Sequence, residues 1–283
     1  MLDAVVDRAG RVPMVGVVVR AVVKGRHDHG KDMAASIAFF SFFSLFPLIL
    51  GGMAGASYFF DEEVIQVRLT QFLVGVFPAS VGFVRENVDA LFRLRRAAGL
   101  AGLVGLLWSG SKVFGAMNRG VNRALGLSQK HALVVAPLRR FLMAVGSTLL
   151  LLLVMGASTA LEIFAQLDLG FLGNRLKSVL LFGEGYVSSF AVGFMLLLAL
   201  YRLVPFEKPK WSEAVSGALF AALAFQLGKI LFVFYVDNVA RLDAVYGSVT
   251  SIIVLLLWLY FGARVFLLGV ELIAVRREDA SAP

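Results

Sequence analysis

Lys112, Glu162, Glu184, Arg202, Lys229, Arg264 and Glu271 interrupt stretches that otherwise carry almost no charge. An ionised group deep in hydrocarbon costs on the order of 2.5–3.5 kcal/mol by insertion scales, so a chain that keeps one points it at a partner, a polar cavity or the interface. The chemistry these residues offer is charge recognition. Lys112, Arg202 and Arg264 set against Glu271 leave a positive excess, which suits an anionic headgroup or an anionic solute. The competing reading is packing: Arg202 and Glu271 reaching the interface, and Lys112, Lys229 and Arg264 each fixed by a neighbouring helix.

No catalytic or metal-binding set accompanies these charges. The sequence holds neither G-x-x-x-x-G-K-[ST] nor H-E-x-x-H, and no Cys, so phosphate-loop ATP hydrolysis, zincin chemistry and a thiolate nucleophile are all excluded. Its carboxylates are scattered rather than clustered for a two-metal site. His27-Asp28-His29 lacks a third ligand and reads as a solvated surface stretch, and His131 stands alone. Neither an enzyme nor a cofactor protein is expected.

The elements that must position the charges are membrane helices. Of 283 residues 59% are hydrophobic and 16% charged, and the mean hydropathy is +0.83. Soluble domains lie nearer one half and one quarter. Apolar runs of about 20 residues, enough to cross about 30 Å of hydrocarbon, predict an all-α polytopic membrane protein. Six spans are expected, over 33–60, 97–117, 141–164, 178–204, 212–236 and 246–275. Residues 1–32 form a basic amphipathic segment on the headgroups, 276–283 a cytoplasmic tail, and 61–96 two interfacial helices at the outer surface or a re-entrant hairpin. A polar loop is expected from Asn118 to Arg140. The first span is expected to act as an uncleaved signal anchor, with Pro47 as a hinge because it lacks an amide hydrogen.

Orientation follows from the basic residues. With the N-terminus inside, fifteen of the 27 Lys and Arg fall on the cytoplasmic side, eight outside and four within the spans. Both termini are therefore expected in the cytoplasm. The same bias accounts for the net charge of +8 without nucleic acid as a partner. In this topology Glu162, Glu184 and Lys229 share an outer layer. Lys112, Arg202 and Glu271 share an inner one, with Arg264 between it and the midplane. Arg264 and Glu271 are seven residues apart, hence on one helix face and about 10 Å apart in height, too far to bond directly.

Several segments, in order along nearly the whole chain, resemble the YihY/virulence factor BrkB family of bacterial inner-membrane proteins. They are Ala34 to Leu48 (AASIAFFSFFSLFPL), Met117 to Arg123 (MNRGVNR), Leu200 to Pro205 (LYRLVP), Trp211 to Gly217 and on to Gly228-Lys229, then Tyr235, Tyr246-Gly247-Ser248, Trp258-Leu259-Tyr260 and Gly269-Val270-Glu271. The resemblance implies six spans and cytoplasmic termini, in agreement with the charge count. An older ribonuclease label attached to the family finds no place for its chemistry in this sequence. Carried onto this chain, the resemblance singles out Pro47, Asn118, Asn122, Arg202, Lys229 and Glu271, and Arg264 departs from the neutral residue expected at its position.

The resulting expectation is a transporter-like protein of the inner membrane that moves or shelters an anionic amphiphile such as a phospholipid or a lipid A precursor. Arg202 and Arg264 would meet the phosphate from the inner leaflet, Lys229 would accept it on the outer side, and Pro47 would let the first span open. Asn118, Asn122, Lys112, Glu184 and Glu271 complete the expected site. Membrane lipids are the expected partners, and either a monomer or a homo-oligomer fits. The rival class is a non-transporting envelope scaffold, in which every intramembrane charge has a protein partner; an intramembrane enzyme would need converging reactive groups that the sequence does not offer.

Overall fold

The structure, a computed structural model, describes residues 13–56, 67, 105, 108–127, 187–238 and 249–281. Glu184, the expected span 141–164 and, apart from Val67, the expected outer segment 61–96 lie outside these residues. The described residues form helices and turns: α1 (Pro13–His27), α2 (Gly30–Ala56), α3 (108–124), α4 (Val187–Leu203), α5 (Trp211–Asn238) and α6 (Thr250–Ser281).

Local chemistry explains where several of these helices begin and end. Lys24, Arg26 and His27 in the last turn of α1 complement the negative end of its dipole. A turn at Asp28–His29, with His29 at φ 56°, then sends the chain into α2. At the start of α5 the Glu213 carboxylate accepts the Lys210 backbone N–H at 2.9 Å, the reciprocal half of a capping box. Helix α3 closes on a Schellman motif. The Leu127 N–H donates to the Asn122 carbonyl and the Gly126 N–H to that of Arg123, and Gly126 takes the left-handed φ of 67° that the motif requires. Asn118 and Asn122, expected in a polar loop, are therefore helical; their amides find acceptors, so polarity does not end the helix.

Helix α6 is the axis of the packing. It lies against α1, α2 and α5; α5 also packs on α4, and α1 on α2. Tyr201 of α4, 1% exposed, donates its hydroxyl to the Phe266 carbonyl of α6 at 2.8 Å, and its ring rests on Phe266. Phe225 and Phe232 of α5 close on Trp258 and Phe261 of α6. Small residues set the approach: a Cβ on Gly228 would overlap the Phe261 ring, and one on Gly269 would overlap Tyr201.

The outer faces are also apolar. Val215, Leu219, Leu223, Leu227, Ile230, Leu231 and Phe234 form an exposed stripe along α5. A helix apolar all round suits lipid rather than water. Residues Trp211–Val236, 26 in all, and Ile252–Ala280, 29 in all, are long and apolar enough to cross a membrane, the first being about 39 Å long against about 30 Å of hydrocarbon. Helix α2 continues through Pro47, whose ring lies beside Gly105.

Candidate functional site

Two charges on α6 face the corner where α1 turns into α2. Glu271 is 2% exposed, and Lys24 of α1 sets its Nζ 3.6 Å from the Glu271 Oε2. The same ammonium donates to Asp28 Oδ2 at 2.6 Å and to the Ala124 carbonyl at 3.0 Å, so it joins α1 to the end of α3 as well. Gly25 lies directly against the Glu271 side chain, where a Cβ would sit 3.4 Å from the Glu271 Cγ, in ordinary contact. Burial works against the Lys24 charge, but the Asp28 hydrogen bond and the charges of Glu271 and Asp28 outweigh it and hold its pKa above the usual lysine value.

The pairing is electrostatic and incomplete. At this separation an ammonium contributes about 5 kcal/mol of Coulomb attraction for an effective dielectric near 20, comparable with the several kcal/mol each buried ion loses in hydration. Glu271 Oε2 itself is buried and, among the described residues, accepts no hydrogen bond. An exposed bidentate pair, Arg20 with Asp279 at 2.6 and 2.7 Å, adds a second tie between α1 and the end of α6.

Arg264 lies two turns earlier in α6, on the same face. Its guanidinium packs against α2 at Gly30, where a Cβ would come within 3.0 Å of Nη1. Among the described residues no carboxylate pairs with it. The corner 25–30 thus covers the stretch of α6 from Arg264 to Glu271, Gly25 over one charge and Gly30 over the other.

The remaining expected residues are placed elsewhere or serve the framework. Arg202 stacks over the Trp211 ring at 4.3 Å and donates to the Pro209 carbonyl, which ties the end of α4 to the start of α5. Lys112 is exposed, 5.5 Å over the ring of Trp108 on its own helix. Lys229 is half-buried on α5 and engaged there. Asn122, fully buried, donates to the Asn118 carbonyl at 2.7 Å and accepts the Phe206 N–H at 2.8 Å, while Asn118 donates to the Val204 carbonyl at 2.8 Å. Together the two asparagines pin α3 to the turn after α4. Neither Lys112 nor Arg202 is ion-paired with Glu271.

Sequence reasoning missed Lys24, Asp28 and Gly25. The signals were present: Lys24 and Asp28 stand at the i,i+4 spacing that pairs charges on a helix, and a lone glycine inside a helical pattern marks a close approach.

Helices of this length and apolarity, arranged around α6, define an all-helical membrane protein. Residues 21–283 match the family described as Virulence factor BrkB, and the chain belongs to that family. Among its relatives is the ribonuclease-like protein YfkH of Bacillus subtilis, 26% identical over 264 residues, covering 90% of this chain and 92% of the relative. A UPF0761 membrane protein of Chlorobium luteolum is 28% identical over 91% of this chain, which spans only 60% of that longer relative. Another from Pseudoalteromonas translucida is 28% identical over 85% of this chain and 79% of its own length. No solved structure matches.

Proposed function

We propose that this protein binds and translocates a phosphate-bearing, anionic amphiphile, a phospholipid or a lipid A precursor, across the bacterial inner membrane, with six spans and both termini in the cytoplasm. It acts through charge recognition and performs no bond chemistry. The observation that carries this reading is Arg264, a half-buried cation in an apolar helix with no carboxylate partner among the described residues. Such a group is retained in a membrane helix for a reason, and an anionic headgroup supplies the missing charge. The test is transfer of labelled phosphatidylglycerol between leaflets of proteoliposomes. Arg264→Gln combined with Lys229→Gln is expected to cut the rate at least tenfold, the scale of one lost charge-assisted contact; an unchanged rate removes the proposal.

A second reading, a non-transporting lipid-binding scaffold, draws support from Arg202, Lys24 and Asn122, each of which is satisfied by the protein itself. It predicts that the wild-type protein retains lipid through purification but moves none between leaflets.

A further inference from the structure

The face of α6 beneath the 25–30 corner carries opposite charges held apart. Arg264 and Glu271 are separated by seven residues, about 10 Å along one face, so neither neutralises the other. The corner sets a glycine over each. At the Glu271 end the Lys24 ammonium spends its hydrogen bonds on Asp28 Oδ2 and the Ala124 carbonyl, and it stands 3.6 Å from Glu271 Oε2. That oxygen is buried, compensated in charge, and left without a donor among the described residues. A primary ammonium has three donors and no acceptor, the complement of what Oε2 lacks.

We propose that this face of α6 is the headgroup site of an aminophospholipid, its phosphate on Arg264 and its primary ammonium on Glu271, and that Lys24 closes the site by standing in for that ammonium. The inference rests on the proposed function for the phosphate and adds to it the identity of the headgroup and a strap that competes with it. Lifting the strap breaks the Lys24 contacts and the Arg20–Asp279 pair; the latter is solvent-exposed and so offers little resistance.

The experiment is calorimetric titration of the purified full-length protein in detergent with short-chain phosphatidylethanolamine, phosphatidylcholine and phosphatidylglycerol. Phosphatidylcholine has the same charge as phosphatidylethanolamine but no N–H donors, so the comparison isolates the Glu271 contact. Wild type is expected to prefer phosphatidylethanolamine over phosphatidylcholine by about tenfold, as one charge-assisted hydrogen-bonded contact gives. Glu271→Gln should abolish the preference without weakening phosphatidylglycerol, Lys24→Gln should tighten phosphatidylethanolamine relative to phosphatidylcholine, and Arg264→Gln should weaken all three. Equal affinity for the two zwitterionic lipids, or a preference that survives Glu271→Gln, overturns the ammonium site even where Arg264-dependent phosphatidylglycerol binding persists. Binding of every lipid that ignores Arg264→Gln removes the proposed function instead. Should Glu271→Gln fail to fold, the wild-type comparison decides, since equal affinity for phosphatidylethanolamine and phosphatidylcholine overturns the ammonium site without any variant.

Discussion

Lys24, Glu271 and Asn122 hold the described helices together through single groups whose loss costs a buried or half-buried partner a contact. Removing the Glu271 charge leaves Lys24 without one of its two carboxylates, and removing Lys24 leaves Glu271 without a paired cation among the described residues. Lys24→Met is therefore expected to lower stability by about 3–5 kcal/mol, the scale of a broken buried pair, and Lys24→Met with Glu271→Leu by clearly less. Unfolding in detergent for both single variants and the double variant measures this; strictly additive losses would contradict it. Asn122→Ala strands the Phe206 N–H and should cost about 1–3 kcal/mol in the same assay, whereas substitution of exposed Arg123 should cost almost nothing. The raised pKa of Lys24 gives a pH dependence of definite sign. A lysine bound more tightly to its proton when folded contributes fully below its unfolded pKa of about 10.4 and loses that contribution as pH rises through the folded value. Spin labels on α1 and α6 should accordingly hold their separation up to that pH and move apart above it.

Among the helices, close approach decides stability more than apolar area does. Gly228 and Gly269 let Phe261 and Tyr201 lie directly on neighbouring backbone, so Gly228→Leu should disrupt the α5–α6 contact, while Leu227→Val on the lipid-facing stripe next to it should be tolerated. The measurement is the fraction of monodisperse protein recovered after heating, and equal recovery of the two variants would contradict the packing account. Much of α5 and α6 was legible in the sequence, because stretches of 26 and 29 mostly apolar residues are long enough to cross a membrane as helices. The continuation of α3 to residue 124 was not legible from polarity, since Asn118 and Asn122 satisfy their amides across helices that the sequence does not show to be adjacent. Gly126 was the local sign of the true end. The α1–α2 corner was missed for a similar reason: His29 adopts a positive φ that the sequence assigns to glycine far more often, and Lys24 reads as one headgroup cation among several until α6 is set against it.

For the whole molecule, the arrangement sets an apolar exterior on α5 against a charged seam where α1, α2 and α6 meet. The seam was half legible. Arg264 and Glu271 were visible as charges on one face of one helix, but the corner that covers them belongs to a segment read as lying on the membrane surface. Arg202, expected beside Arg264 on one phosphate, instead ties α4 to α5 through Trp211 and Pro209, because a guanidinium at a helix end finds a carbonyl and a ring close at hand. What distinguishes a headgroup seam from inert packing is where lipid goes. The most direct measurement is photocrosslinking of a diazirine-bearing phospholipid, reactive at its headgroup, in native membranes, with labelled peptides read by mass spectrometry. Label on α6 between Arg264 and Glu271, displaced by unlabelled lipid and lost in Arg264→Gln, is the predicted result; label confined to the outward stripe of α5, indifferent to Arg264→Gln, would contradict the account.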